Sequence, residues 1–148
     1  MALSTVPVRA VHTEHVADWR EAVRTAAGLL VDLGVADTEY VEACVASVAK
    51  NGPYIVLTKG VALAHAQVEA GVTSEGIGLL RLAEPVVFGH PANDPVDLVF
   101  AFSTSGGDAH MAMIRRFGLA LGGSLPAQAR EADPNRLEGV LSRFAADD

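Results

Sequence analysis

An α/β sandwich, one mixed sheet of about five strands flanked by helices, is the fold this sequence predicts. Three observations carry that expectation. Val96 to Phe102 is apolar apart from Asp97, the near-continuous pattern of a strand covered on both faces. Two helices with clear start signals precede it, one opening at Asp18 and one at Asp37. Between them and that strand lies Gly-Pro-Tyr-Ile-Val-Leu-Thr-Lys-Gly-Val-Ala-Leu-Ala-His-Ala-Gln-Val-Glu-Ala-Gly-Val, from Gly52 to Val72. Its first apolar run reads as a buried strand, Lys59-Gly60 as a turn, and Val61 to Ala64 as a segment that delivers His65 to its end. A polar imidazole where a buried strand meets a loop is half sheltered and half reachable. That suits a nucleophile that exchanges a group with large partners.

Taken in order, Val8 to His12 could form a first strand, and His12 and His15 read as surface polar residues because no third metal ligand lies nearby. Asp18 with Glu21 has capping-box form, and Trp19, Ala22, Val23, Ala26, Leu30 and Leu33 keep helical spacing up to Gly34. Asp37 caps a second helix whose stripe is Tyr40, Val41, Cys44, Val45 and Val48, stopped by Asn51-Gly52-Pro53. Past His65, Gln67, Glu69 and Glu75 mark a polar loop. Gly76 to Leu82 reads as a strand, Glu84-Pro85 as a turn, Val86 to Phe88 as a short strand, and Gly89 to Pro95 as a loop carrying a surface His90. After the Val96 strand, Met111, Ile114, Phe117, Leu119 and Leu121 begin a third helix with Arg115 and Arg116 solvated, ended by Gly122-Gly123. Leu125 to Arg130 reads as a short helix. Asp133 caps a last one, with Pro134 in its first turn and Leu137, Val140, Leu141 and Phe144 on one face.

At 148 residues the chain has the size of one domain, and such a domain buries roughly two-thirds of its unfolded surface. No apolar run approaches the ~20 residues needed to cross a bilayer, and the first residues lack the pattern of a signal peptide. A formal charge of −7 without a basic cluster argues against nucleic acid as a partner. The single cysteine, Cys44, excludes an internal disulfide and fits a reducing cytoplasm. Its place on an apolar helical stripe makes it a buried structural thiol.

Gly60-Val61-Ala62-Leu63-Ala64-His65 resembles the active-site segment of the phosphotransferase-system enzyme IIA domains of the mannitol/fructose type. In that family a glycine, an apolar residue, alanine, an apolar residue and proline precede the histidine that carries phosphate. Asn51 to Leu57 and Asn93 to Asp97 are most similar to the ascorbate branch, and the likeness runs from Trp19 to Leu121. It implies one domain over residues 1–148, with a tail shorter than many members have. His65 would accept phosphate from the histidine-phosphocarrier protein and pass it to a cysteine of a cognate IIB component. No metal or organic cofactor is required by such a relay. The protein would work in the cytoplasm without inserting in the membrane, beside a membrane transporter component.

Two positions depart from the family pattern. Ala64 stands where proline would preset the approach to the histidine, and leaves that geometry to packing. The mannitol branch often has an arginine late in the second helix, where this chain has Lys50. Lysine supplies a point charge without a bidentate fork, and a solvated lysine favoured by the helix dipole is the simpler reading. Both departures motivate a second expectation, a regulatory or binding module with the same fold and weakened transfer.

A histidine nucleophile must be neutral at its attacking nitrogen, and at an unperturbed pKa about three-quarters of imidazole is neutral at pH 7. Attack by Nε2 requires Nδ1 to keep its proton, typically donated to a carbonyl. The second constellation is Ser105-Gly106-Gly107-Asp108-Ala109-His110, small residues running into a helix start whose free N–H groups favour an anion. His110 lines up with a second histidine of the family and would stabilise phosphoryl oxygens. Asp108 counts against an anion there unless it serves only as a cap, and an exposed histidine on a capped helix is the alternative. A zinc site lacks a third ligand, the glycine-rich loop lacks a Walker lysine, and no Gly-x-Ser-x-Gly elbow exists.

Overall fold

The computed structural model describes residues 6–66 and 71–146, so Gln67 and Glu69 lie outside the described residues. One sheet holds five strands in the order β1-β4-β5-β3-β2: β1 Val8–Thr13, β2 Val56–Thr58, β3 Val61–Ala64, β4 Gly76–Val86 and β5 Val96–Ser103. β1 runs parallel to β4 and β3 parallel to β5, while the β4–β5 and β2–β3 pairs are antiparallel. The expected mixed sheet flanked by helices is the observed architecture.

Helices α1 (Trp19–Asp32) and α2 (Thr38–Asn51) supply one hydrophobic layer, built on Ala22, Ala26, Leu30, Tyr40, Val41 and Val45. Helices α3 (Gly107–Leu121), α4 (Leu125–Glu131) and α5 (Leu137–Ala146) supply the other, through Phe117, Leu121, Leu125, Leu137 and Leu141. Alternation along β5 feeds both layers: Val99 and Ala101 face the first, and Leu98, Phe100 and Phe102 the second. That is why its sequence is apolar throughout. α1 lies close over β4. A side-chain carbon at Gly78 would meet the Ala26 carbonyl and Leu29 Cβ, each at 3.1 Å.

The caps predicted for the first two helices form. An Asp18 carboxylate oxygen accepts the Glu21 N–H at 3.0 Å, and Asp37 accepts those of Glu39 and Tyr40 at 3.0 and 3.4 Å. Glu21 reaches back to the Ala17 N–H at 2.6 Å, one residue before the cap.

Several local expectations are corrected. Glu84-Pro85 is not a turn: β4 runs on to Val86, with the register shift against β5 falling between Arg81 and Val86. Pro85 is tolerated at that irregularity because no partner strand needs its missing N–H. Asp133 forms no side-chain cap. Pro134–Arg136 is a 3-10 turn, and the Arg136 N–H that a cap would receive is bonded to the Asp133 main-chain carbonyl at 2.8 Å. Leu57, expected on a buried strand, is 42 % exposed because β2 is a sheet edge. Arg116 is not simply solvated, since it donates to the Phe144 carbonyl at 2.8 Å.

The histidines His12 and His90 also have structural partners. Arg81, buried in β4, donates from Nε to His12 Nδ1 at 2.9 Å and from Nη1 to the carbonyls of Ala129 and Ala132 at 2.8 and 2.5 Å. The carbonyls ending α4 thus supply the negative end of a helix to a buried guanidinium. His90 is half-buried. Its Nδ1 accepts the N–H groups of Ala92 and Asn93 at 3.1 and 3.0 Å, while Asp94 accepts those of Phe88, Gly89 and His90. These bonds shape the loop that the sequence marks with its glycine and prolines.

Candidate functional site

His65 follows the last residue of β3. The final rung of the parallel ladder pairs Ala64 with Ala101, so His65 leaves the sheet at the carboxyl ends of two adjacent parallel strands. Only 9 % of the residue is exposed. Its Nδ1 lies 2.8 Å from the Leu63 carbonyl. A carbonyl oxygen can only accept, so Nδ1 holds the proton and the lone pair sits on Nε2.

Aromatic rings enclose the imidazole. Phe102 stacks on it with centroids 5.5 Å apart and planes 14° from parallel, and Tyr54 meets it edge-on at 5.9 Å. Tyr54 is 43 % exposed and its hydroxyl shares a 2.7 Å hydrogen bond with Ser47 on α2. Burial lowers the His65 pKa, the Leu63 bond opposes this, and the neighbouring His110 lowers it further. The ring is therefore held neutral around pH 7.

His110 stands in the first turn of α3, which begins at Gly107, four residues earlier than the sequence pattern suggested. Its ring centroid lies 5.6 Å from that of His65 and 5.3 Å from that of Phe102. Thr104 Oγ1 is 3.5 Å from Nδ1, a long contact, and Nε2 is buried without a hydrogen-bond partner among the described residues. Burial lowers this pKa as well. An unpartnered buried nitrogen costs free energy unless something reaches it. The N-cap of α3 is Gly106, with no side-chain cap bond, so among the described residues no side chain caps the first N–H groups beside His110. Asp108 is exposed in that first turn and is not the cap.

The structure thus brings together the two histidines that lie far apart in sequence. Lys50 is exposed in the last turn of α2, as a solvated lysine would be. Among the described residues no group of three His, Cys, Asp or Glu side chains could hold a metal ion. Sequence reasoning missed Tyr54 and Phe102 as walls of the site, and it read Tyr40 only as a stripe residue. A tyrosine on an otherwise aliphatic stripe was the available signal, since its hydroxyl must find a partner when buried.

A family model described as "Phosphoenolpyruvate-dependent sugar phosphotransferase system, EIIA 2" matches residues 7–121, more than half of the chain. The chain belongs to this EIIA family. A curated relative, the ascorbate-specific PTS system EIIA component of Shigella boydii, is 36% identical over 92 residues, covering 62% of this chain and 60% of that protein. The EIIA chain thus spans about 60% of the length of the curated relatives it matches. Among solved structures, the mannitol-specific cryptic phosphotransferase enzyme IIA of Escherichia coli aligns with TM-score 0.73 at 27% identity, covering 95% of each chain. The mannitol IIA of Escherichia coli, in a complex with phosphorylated mannitol IIB, shares the fold with TM-score 0.70 at 21% identity, covering 93% of each chain. No helix among the described residues is long and apolar enough to cross a membrane.

Proposed function

We propose that this chain is a phosphoryl-carrying IIA component of a sugar phosphotransferase system, acting in the cytoplasm as one domain over residues 1–148, with His65 as the acceptor and His110 as the stabiliser of phosphoryl oxygens. The observation that carries this reading is the His65 imidazole itself: Nδ1 is bonded to the Leu63 carbonyl, which leaves Nε2 as the nucleophilic nitrogen, and a second imidazole lies 5.6 Å away.

In the forward step the Nε2 lone pair attacks phosphorus of the phosphohistidine on the phosphocarrier protein. The N–P bond to His65 forms as the donor's N–P bond breaks, and the donor imidazole leaves with its electron pair. In the second step a cysteine thiolate of the cognate IIB component attacks. The S–P bond forms and the lone pair returns to Nε2. Neither step needs a cofactor. Phosphoryl transfer of this kind rests on positioning and on donors that spread charge over the equatorial oxygens. This reading assigns the donor role to His110, 5.6 Å from His65, and to the first N–H groups of the helix it stands on. A IIB partner is supported by the fold-related mannitol IIA, which is seen in complex with phosphorylated IIB.

Incubation with enzyme I, the phosphocarrier and phosphoenolpyruvate, followed by intact mass, tests the reading. Wild type gains one phosphoryl group and His65→Ala gains none. A wild type that gains nothing yet binds the transporter components would favour the non-transferring module. Equal gain by His65→Ala would reassign the acceptor.

A further inference from the structure

Where the parallel ladder between β3 and β5 stops at Ala64 and Ala101, a side chain takes over the connection. The Tyr40 hydroxyl, from the first turn of α2, donates to the Phe102 carbonyl at 2.7 Å and accepts the Ala66 N–H at 3.3 Å. These two groups belong to the residue whose ring stacks on His65 and to the residue that follows His65 in the chain. Tyr40 is itself 2 % exposed. One oxygen thus stands in for a missing rung and ties both backbones that frame the imidazole. We infer that Tyr40 is a positioning residue for His65, a hydroxyl bridge that lets the nucleophile leave the sheet while its backbone stays registered to the stacking Phe102. The inference rests on the proposed phosphoryl-carrier reading.

The bridge has the properties that such a role needs. A backbone carbonyl and N–H at a strand end, withdrawn from water, must both be satisfied, and one hydroxyl can accept and donate at once. Burial holds the Tyr40 pKa far above its ordinary value, so the hydroxyl keeps its proton and remains a donor to Phe102 across the working pH range. A helix position carries it, which is a stiffer mount than a loop. Without the bridge, the His65-Ala66 peptide can rotate, and the Nδ1 bond to Leu63 no longer has a fixed backbone behind it.

Tyr40→Phe removes one oxygen and keeps the ring. Displacements of about 1 Å at a reacting group cost up to ~10²-fold in rate, so single-turnover phosphorylation of His65 is expected to fall about 10–100-fold, with the half-saturating phosphocarrier concentration unchanged. Imidazole ¹⁵N shifts are expected to change from one Nδ1–H tautomer in wild type to a mixture, and the Ala66 amide is expected to exchange faster. Leu141→Ala, buried in the α5 layer, serves as a destabilised control and is expected to keep the wild-type rate. Wild-type transfer by a folded Tyr40→Phe protein would overturn the inference, as would equal loss in Leu141→Ala at matched stability. If Tyr40→Phe does not fold, the wild-type Ala66 amide decides: protection supports the bridge, and exchange at the rate of an exposed amide removes it. Failure of wild type to accept phosphate would instead overturn the carrier reading, while the ¹⁵N and exchange measurements still judge the bridge.

Discussion

Replacing His110 by alanine separates catalysis from stability most sharply. In the folded protein the His110 ring leans on Phe102 and His65 at 5.3 and 5.6 Å, so truncation loses some apolar contact. It also removes Nε2, a buried nitrogen with no partner among the described residues, whose desolvation costs about 1–3 kcal/mol. The Thr104 contact at 3.5 Å is too long to add much. These terms oppose each other, and the net change is expected to stay within about 1 kcal/mol, or roughly 2–4 °C in Tm for a chain of this size. The effect on rate is of another order. Losing a donor aimed at charge that moves between two partners costs about 3–4 kcal/mol, or ~10²–10³ in rate. His110→Ala is therefore expected to fold normally, to accumulate some phospho-His65, and to pass it on much more slowly. The assay loads the protein with phosphate, mixes it with IIB in single turnover, and quenches on a millisecond-to-minute scale, with thermal unfolding in parallel. His110→Gln, which keeps an N–H donor, should recover part of the rate. Unchanged transfer in a stable His110→Ala protein would refute the reasoning and leave His110 as a helix-start side chain of no catalytic weight.

Acid should weaken the fold through the same two rings. Both have pKa values lowered below 6.5, so the unfolded chain takes up protons that the folded site refuses, and stability is expected to fall as pH drops below about 6.5. Urea midpoints between pH 8 and 5 would show the slope, and His65→Ala should flatten it. Asp94→Ala removes a carboxylate that accepts the N–H groups of Phe88, Gly89 and His90, and should cost about 1.5–3 kcal/mol, read from the denaturant midpoint at constant m. Gly60→Ala meets a backbone with φ of 74° and an Arg130 Nη2 only 2.6 Å from the new carbon. A left-handed alanine costs about 1–2 kcal/mol. The change should therefore exceed that of Arg130→Ala, which removes a part-exposed ion pair with Asp97 and a bond to the Lys59 carbonyl.

The parts of the molecule legible in the sequence are those governed by neighbours along the chain. Asp18 and Asp37 announce their helices because a cap is a contract between residues two or three apart. Gly60 announces its turn for a similar reason, with φ of 74°. His65 at a strand end could be read from the apolar run that stops at it. What stayed hidden depends on contacts across the sheet. Pro85 looks like a breaker until β5 is seen to leave its N–H unneeded. His12 looks like a surface residue until Arg81, far along the chain, arrives to donate to it. His90 looks idle until two backbone N–H groups close on its ring. Phe102 and Tyr54 were plain hydrophobic positions in the sequence. Only the fold shows that both rings line the same imidazole.

β5 is a wall shared by two interiors, and both histidine rings meet on one side of it, against Phe102. The backbone around His65 is anchored through Tyr40 and Ala66 in the α1–α2 interior, while His110 rides on α3, packed through Met113 and Phe117 in the other. Their separation is thus a dimension of the whole sandwich and of no single loop. Substitutions that shift α2 or α3 against β5 would change the gap between the two rings without touching either.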